Sequence, residues 1–200
     1  MTEISRPPSA LVEKLEQFRG SDMHDLCDAA DHAITDGGGF GWLVPPQRDV
    51  MERYWRGVLA VPGRSLFVAR LEGLIVGSAQ LMRPPPNNEA GAFAATLTTF
   101  FIAPWARGHG LARQLIQSVE DEAREDGYDV LQLDVRETQY AALQLYRRMG
   151  FVQWGANPIY AKVDGRFLTG YYFYKMLDEA RGLPPGPADI PTPPADGAPK

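Results

Sequence analysis

The chain has one cysteine in 200 residues, Cys27, so it closes no internal disulfide and needs no oxidising compartment. It has no run of 18 apolar residues, which leaves no segment that reads as a membrane-spanning helix. It has no basic excess: 20 Lys and Arg face 25 Asp and Glu, a net charge of −5. That balance argues against a nucleic-acid binder. The first ten residues, MTEISRPPSA, lack the apolar core of a secretion signal. These absences predict a soluble cytoplasmic protein. What is present is ordinary globular composition, 44% hydrophobic and 22% charged, at a length that suits one domain.

Proline is unevenly placed. Seven of 17 prolines lie between Pro184 and Pro199, in a stretch with almost no large apolar side chains. Such a segment buries too little surface to offset its ordering entropy, so residues 183–200 read as a disordered tail. Residues 1–8 read as a fraying N-terminus, and residues 9–178 as the folded domain.

Within that domain the apolar periodicity alternates between the strand and helix repeats. Strands are predicted at 11–18, 65–71, 74–82, 93–102, 130–136, 151–154 and 171–177. Helices are predicted at 21–34, 47–59, 108–126 and 139–149. Glu72-Gly73 reads as a hairpin turn, Ser21 as a helix cap, and Gly37-Gly38-Gly39 and Gly150 as helix stops. The expected fold class is a mixed α/β domain. The strand–helix–strand succession over 93–136 implies a parallel pair of strands with a right-handed crossover.

Two stretches carry candidate chemistry. In FFIAPWARGHGLARQL, residues 100–115, Gly108 and Gly110 lie between a strand and a helix. A backbone without Cβ atoms lets amides approach an anion, and the first N–H groups of a helix have no internal partner. The macrodipole adds positive charge there, so this end can cradle a pyrophosphate, with Arg107 and Arg113 adding charge-assisted contacts. A tight strand-to-helix turn without a ligand would show the same pair of glycines. The third glycine of a dinucleotide fingerprint and the lysine of an ATP-type phosphate loop are both missing. In DVRETQYAALQLYRRMGFV, residues 134–152, Ala141, Ala142, Leu145, Tyr146 and Met149 share one helix face. Tyr146 lies at its edge, where a phenol taken alone reads most often as a core aromatic and only seldom as a proton donor.

Together the two stretches resemble the GNAT superfamily of N-acetyltransferases. The matching residues are Ile102-Ala103-Pro104 followed by Arg107-Gly108-His109-Gly110-Leu111-Ala112, then Ala142, Leu145-Tyr146 and Gly150-Phe151. The resemblance implies a twisted, mostly antiparallel sheet of six to seven strands with about four helices. Its fourth and fifth strands would be parallel and splayed into a V. It implies acetyl-CoA as co-substrate and no metal. The pantetheine would pair near Phe101 and Ile102, and the pyrophosphate would meet the amides of residues 107–112. Tyr146 matches the tyrosine that protonates the departing thiolate. The reaction implied is direct attack of an amine on the thioester, the acceptor being a small molecule or a protein. Gln139 stands where the family often has asparagine, which leaves that cofactor contact open. The segments DGGGFGWLVP and MERYWRGVL are similar to tabtoxin-resistance-like members, which acetylate small amines. The same resemblance is compatible with a monomer or homodimer, and with a non-catalytic acyl-CoA-binding module as the alternative function.

Other residues read less sharply. His24, Asp28 and His32 have metal-ligand spacing but fall opposite the apolar stripe of their helix, as a solvated face does. Cys27 sits on that stripe and reads as a small hydrophobe. Glu89, Asp134 and Glu137 are the carboxylates near the expected cleft, and spacing does not choose a general base among them. Trp42, Tyr160, Tyr171, Tyr172 and Tyr174 read equally as acceptor-pocket wall or as core.

Overall fold

A computed structural model describes residues 8–38 and 40–178. The proposed tail at 183–200 and all but Pro8 of the proposed N-terminal segment lie outside the described residues. The elements run β1 (Ala10–Leu15), α1 (Asp22–Ala33), α2 (Arg48–Ala60), β2 (Arg64–Leu71), β3 (Leu74–Met82) and β4 (Ala94–Ile102). They continue with α3 (Leu111–Glu125), β5 (Val130–Arg136), α4 (Tyr140–Arg148), β6 (Val152–Val163) and β7 (Arg166–Met176). One seven-stranded sheet has the order β1-β2-β3-β4-β5-β7-β6, antiparallel everywhere except at β4–β5.

Period-two alternation sorts the core into two layers, one on each side of the sheet. Leu66 and Val68 of β2 pack with Leu26, Ala30, Met51 and Trp55 of α1 and α2. Phe67 and Ala69 point the other way, onto Leu115, Ile116 and Val119 of α3. The helices present the stripes their spacing predicts, with local corrections. Val50 of α2 is exposed, and the buried series is Met51, Trp55 and Val58. Along α4 and its C-cap the buried series is Leu143, Tyr146 and Met149, spaced three apart, while Leu145 is only half-buried at the edge of the core and Ala141 is exposed. Ser21 does not cap α1 with its side chain; its hydroxyl donates to Asp25 at 2.9 Å.

The last two strands are much longer than the periodicity predicts. Val163 pairs with Arg166 around Asp164-Gly165, both at positive φ (49° and 80°), as a two-residue hairpin turn requires. Glycines and Pro158 interrupt the alternation, and register shifts within β6 absorb them. Glu120 of α3 is another departure. It is fully buried and is held by Lys175 of β7 at 2.7 and 2.8 Å and by Arg124 at 3.3 Å. A buried charge persists only with such partners.

The α1 face carries one imperfectly satisfied group. Asp31 Oδ1 is buried with no hydrogen-bond partner among the described residues. Burial, with Asp28 adding like charge, outweighs nearby Arg48 and raises the Asp31 pKa above the ordinary aspartate value. The folded state therefore holds this proton to higher pH than the unfolded chain, so its contribution to stability falls as pH rises through that interval. Asp31→Asn is expected to raise the thermal midpoint at neutral pH. The gain over wild type should shrink as the pH is lowered toward the ordinary carboxylate range, read by thermal melts from pH 4 to 8.

Candidate active site

The site begins where two strands part. β4 and β5 pair over only three positions, Ala94 with Val130 through Thr96 with Gln132. Beyond them β5 stays paired with β7 to Arg136, and β4 stays paired with β3 to Ile102. The β5-facing edge of β4 from Leu97 to Ile102 is left without a strand partner. A bulge sharpens the divergence. Between the Ser78–Phe101 and Gln80–Thr98 pairs, β3 has one residue and β4 two, and Thr99 takes a φ of 49°. Buried hydroxyls support it: Ser78 Oγ donates to the Thr99 carbonyl at 3.1 Å, and Tyr54 Oη meets Thr99 Oγ1 at 3.2 Å.

Two cavities occupy the opening and share Gly38, Phe100, Gln139 and Ala142 as walls. The first, about 420 Å³, has Phe101, Ile102, Arg107, Ala112, Ala141 and Leu145 along its sides. Ala141 therefore faces the cavity, and Leu145 lies between cavity and core. The second, about 530 Å³, contains Tyr146, Asp134, Tyr160, Thr98, Arg136 and Lys162.

Beside the first cavity lies the turn before α3. Gly108 and Gly110 have φ values of 89° and 75°, a left-handed conformation that favours glycine, and no neighbouring atom of the chain crowds either position. The backbone N–H groups of Gly108, His109, Gly110, Leu111, Ala112 and Arg113 have no hydrogen-bond acceptor among the described residues. The Arg107 N–H is different: it makes a long bond to the Pro104 carbonyl at 3.4 Å. Its guanidinium pairs with Asp36 at 2.7 Å rather than standing free. Arg113 is exposed on the first turn of α3 with no ion-pair partner among the described residues. The His109 ring turns back to the Ala106 carbonyl, 3.1 Å away. Leu111 is anchored in the core.

Asp36 belongs to a wider helical turn, Ile34–Gly38, that continues α1 and bridges the cleft. On the far side Gln139 Nε2 and Arg136 Nη2 both donate to the Gly37 carbonyl, at 2.5 and 3.1 Å. Gln139 thus lines both cavities while tethering this strap. Sequence reading missed the strap's role, and its two glycines, Gly37 and Gly38, were the available signal.

Tyr146 is held by the end of its own helix. Phe151 N–H donates to the Tyr146 carbonyl at 3.0 Å and Gly150 N–H to the Arg147 carbonyl at 3.1 Å, with Gly150 at a φ of 85°. This is a Schellman motif, and its usual apolar contact is the Phe151 ring against the Tyr146 ring, 5.7 Å between centroids. Phe100 and Phe173 complete the ring's surroundings. The hydroxyl makes no hydrogen bond among the described residues. Burial, then the charge of Asp134, pushes the phenol well above its ordinary pKa.

Of the three sequence-nominated carboxylates, only Asp134 lines the cavity, where it accepts a hydrogen bond from the Tyr160 hydroxyl. Glu137 is committed to the Thr169 N–H at 2.8 Å, and Glu89 lies in a short turn before β4. Of the aromatic set, Tyr160 alone is a wall; Trp42 packs edge-on against Phe40 and Tyr54, and Tyr172 against Trp154. His24 and Arg48 pair with Asp28, and Cys27 is fully buried, where desolvation raises its thiol pKa.

Comparison with known proteins gives a consistent answer. The model of the acetyltransferase (GNAT) family matches residues 26–151. An uncharacterized N-acetyltransferase encoded in the hisH–hisA intergenic region of Azospirillum brasilense is 65% identical over 128 residues, covering 64% of this chain and 76% of that protein. The N-alpha-acetyltransferase RimI of Mycobacterium tuberculosis is 36% identical over 110 residues, 54% of this chain and 64% of its own length. A putative acetyltransferase of Salmonella typhimurium, solved with its cofactor acetyl-CoA, superposes with a TM-score of 0.68 at 19% identity, over 85% of this chain and 95% of that one, a likeness of fold.

The Schellman turn supplies a direct test of how Tyr146 is held. Gly150→Ala forces a side chain into the left-handed region and is expected to cost about 1–2 kcal/mol in urea unfolding. Phe151→Ala should loosen the Tyr146 ring, read as a smaller dispersion of its NMR signals.

Proposed function

The chain belongs to the GNAT family of acetyltransferases, and from that premise we propose that it transfers the acetyl group of acetyl-CoA to a primary amine of a small molecule. The observation that carries this reading is the pair of adjoining cavities, one beside a row of unpaired N–H groups and the other holding a phenol and a carboxylate. A volume of about 530 Å³ lies in the range of small-ligand sites, which favours a small amine over a protein terminus.

Acetyl-CoA supplies an activated thioester. The residues present suit it. The free N–H groups from Gly108 to Arg113 would hold its pyrophosphate at the positive end of α3. The unpaired β4 edge near Phe101 and Ile102 would take its amide-bearing arm as an added strand. Ala141, Ala142 and Leu145 would cover the arm's apolar parts. Gln139, tied to Gly37, supports this wall through the strap in place of a direct contact.

In the second cavity Asp134 accepts a proton from the acceptor ammonium, directly or through water, leaving a neutral amine. The new N–C bond forms as the C–S bond breaks. Tyr146 gives its hydroxyl proton to the sulfur, the second nitrogen proton restores the phenol, and Asp134 releases the first to solvent. The raised pKa keeps Tyr146 protonated across the neutral range, as a donor must be. A phenol placed at an active centre and not yet hydrogen-bonded is why we favour an enzyme over a passive acyl-CoA-binding module.

Free-thiol release from acetyl-CoA across a panel of small amines tests the reading. Tyr146→Phe is expected to lower kcat by about 10²-fold or more while leaving the acetyl-CoA Kd unchanged. Unchanged turnover would remove the general-acid role. Asp36→Asn frees Arg107 from an exposed ion pair of the kind worth about 0.2–1 kcal/mol, so acetyl-CoA binding should tighten by roughly 1.4- to 5-fold in calorimetry.

A further inference from the structure

β6 departs from regular pairing twice, by one extra residue between Gln153 and Gly155 and by a larger step after Asn157. Asn157 pairs with Gly170 and Ala161 with Leu168, so β6 has three residues, 158–160, where β7 has one. The excursion is shaped locally. The Asn157 side chain accepts from the Ile159 N–H at 3.0 Å, and the Ile159 side chain points to solvent. Tyr160 is then folded flat over β7. A Cβ placed on Gly170 would lie 2.1 Å from Tyr160 Cγ and 2.3 Å from Cδ2, so the ring sits where any other residue's side chain would be. Crossing over that gap, the Tyr160 hydroxyl reaches Asp134 on β5, the strand beyond β7. The edge of the ring is braced by Tyr172, at 6.3 Å and 85°.

We propose that Tyr160 is a positioning residue of this active site: its hydroxyl occupies one oxygen of Asp134 and aims the other at the acceptor ammonium beside Tyr146, and Gly170 is present to let the ring cross. The inference rests on the reading of the second cavity as the acceptor site. It explains why the larger of the two departures of β6 falls where regular pairing would deny Tyr160 its reach. It also explains a glycine in the middle of a long strand, a position where that residue ordinarily weakens a sheet.

The ionisable groups around Asp134 are Tyr146 from α4, Arg136 from its own strand, Tyr172 from β7, and Tyr160 and Lys162 from β6. Arg136 and Lys162 favour the ionised carboxylate by charge, and Tyr160 favours it by donating to it. Removing that donor leaves one carboxylate oxygen without its partner, and the acid limb of kcat/KM is expected to move to higher pH.

Tyr160→Phe keeps the ring over Gly170 and removes only the hydroxyl, so the fold is retained. It is expected to lower kcat/KM for the amine about tenfold or more, leave the KM for acetyl-CoA unchanged, and shift the acid limb upward. The loss should vanish in an Asp134→Asn background, since the hydroxyl acts only through that carboxylate. Gly170→Ala, which displaces the ring, should reproduce the Tyr160→Phe profile. An unmoved acid limb, or a full additional loss on top of Asp134→Asn, overturns the proposal. Titration of the Asp134 carboxyl carbon by NMR decides the matter without any acceptor: an equal midpoint in wild type and Tyr160→Phe also overturns it. If no amine is turned over yet the midpoint rises in Tyr160→Phe, the pairing stands and the proposed transfer reaction is what fails.

Discussion

The molecule is organised around the failure of β4 and β5 to stay together. Each strand is bound along its other edge, β4 to β3 and β5 to β7, over almost its whole length. Sheet twist, increased by the bulge at Thr99-Phe100, then pulls the two apart after three residue pairs. An unpaired edge inside a sheet is normally a liability, because its amides and carbonyls want partners. Here it lines a cleft wide enough for a ligand to supply them. The half-buried chain of side-chain contacts through Arg64, Gln80, Tyr54 and Thr99 holds the bulge from behind, which makes the opening a built feature of the fold.

The two helices flanking the cleft use their ends in opposite ways. α3 begins beside the opening with bare N–H groups that an anion or water can satisfy. α4 satisfies its last carbonyls internally, through Gly150 and Phe151, and in doing so fixes the side chain three residues back from its cap, Tyr146. The glycine-rich strap from α1 ties the sides together, with Asp36 on Arg107 and the Gly37 carbonyl under Gln139 and Arg136. The strap therefore crosses the cleft by contacts to residues that line it.

Much of this was visible in the residues, for local reasons. Gly108, Gly110 and Gly150 announce backbone conformations that few other residues adopt, and the apolar stripes of α1 and α3 are set by a fixed helical repeat. Other features were hidden because they depend on partners distant in the chain. Leu145 and Ala141 have the spacing of core residues, and only the splay of the sheet turns them into cavity wall. Arg107 looked free to meet an anion, but Asp36, 71 positions away, holds it. The long β6–β7 hairpin broke the expected alternation at Pro158 and Gly170, although the Asp164-Gly165 pair was a turn signal in plain sight.

What the amino-acid order determined by itself was the list of elements, the two glycine turns and the tyrosine before the second of them, since these follow from backbone preference and from period. What only the folded chain decided was which side chains share a cavity. Asp134 was one of three equivalent carboxylates until the sheet placed it beside Tyr146 and under Tyr160. Proximity across strands is set by register, and register is a property of the whole sheet that no single segment contains.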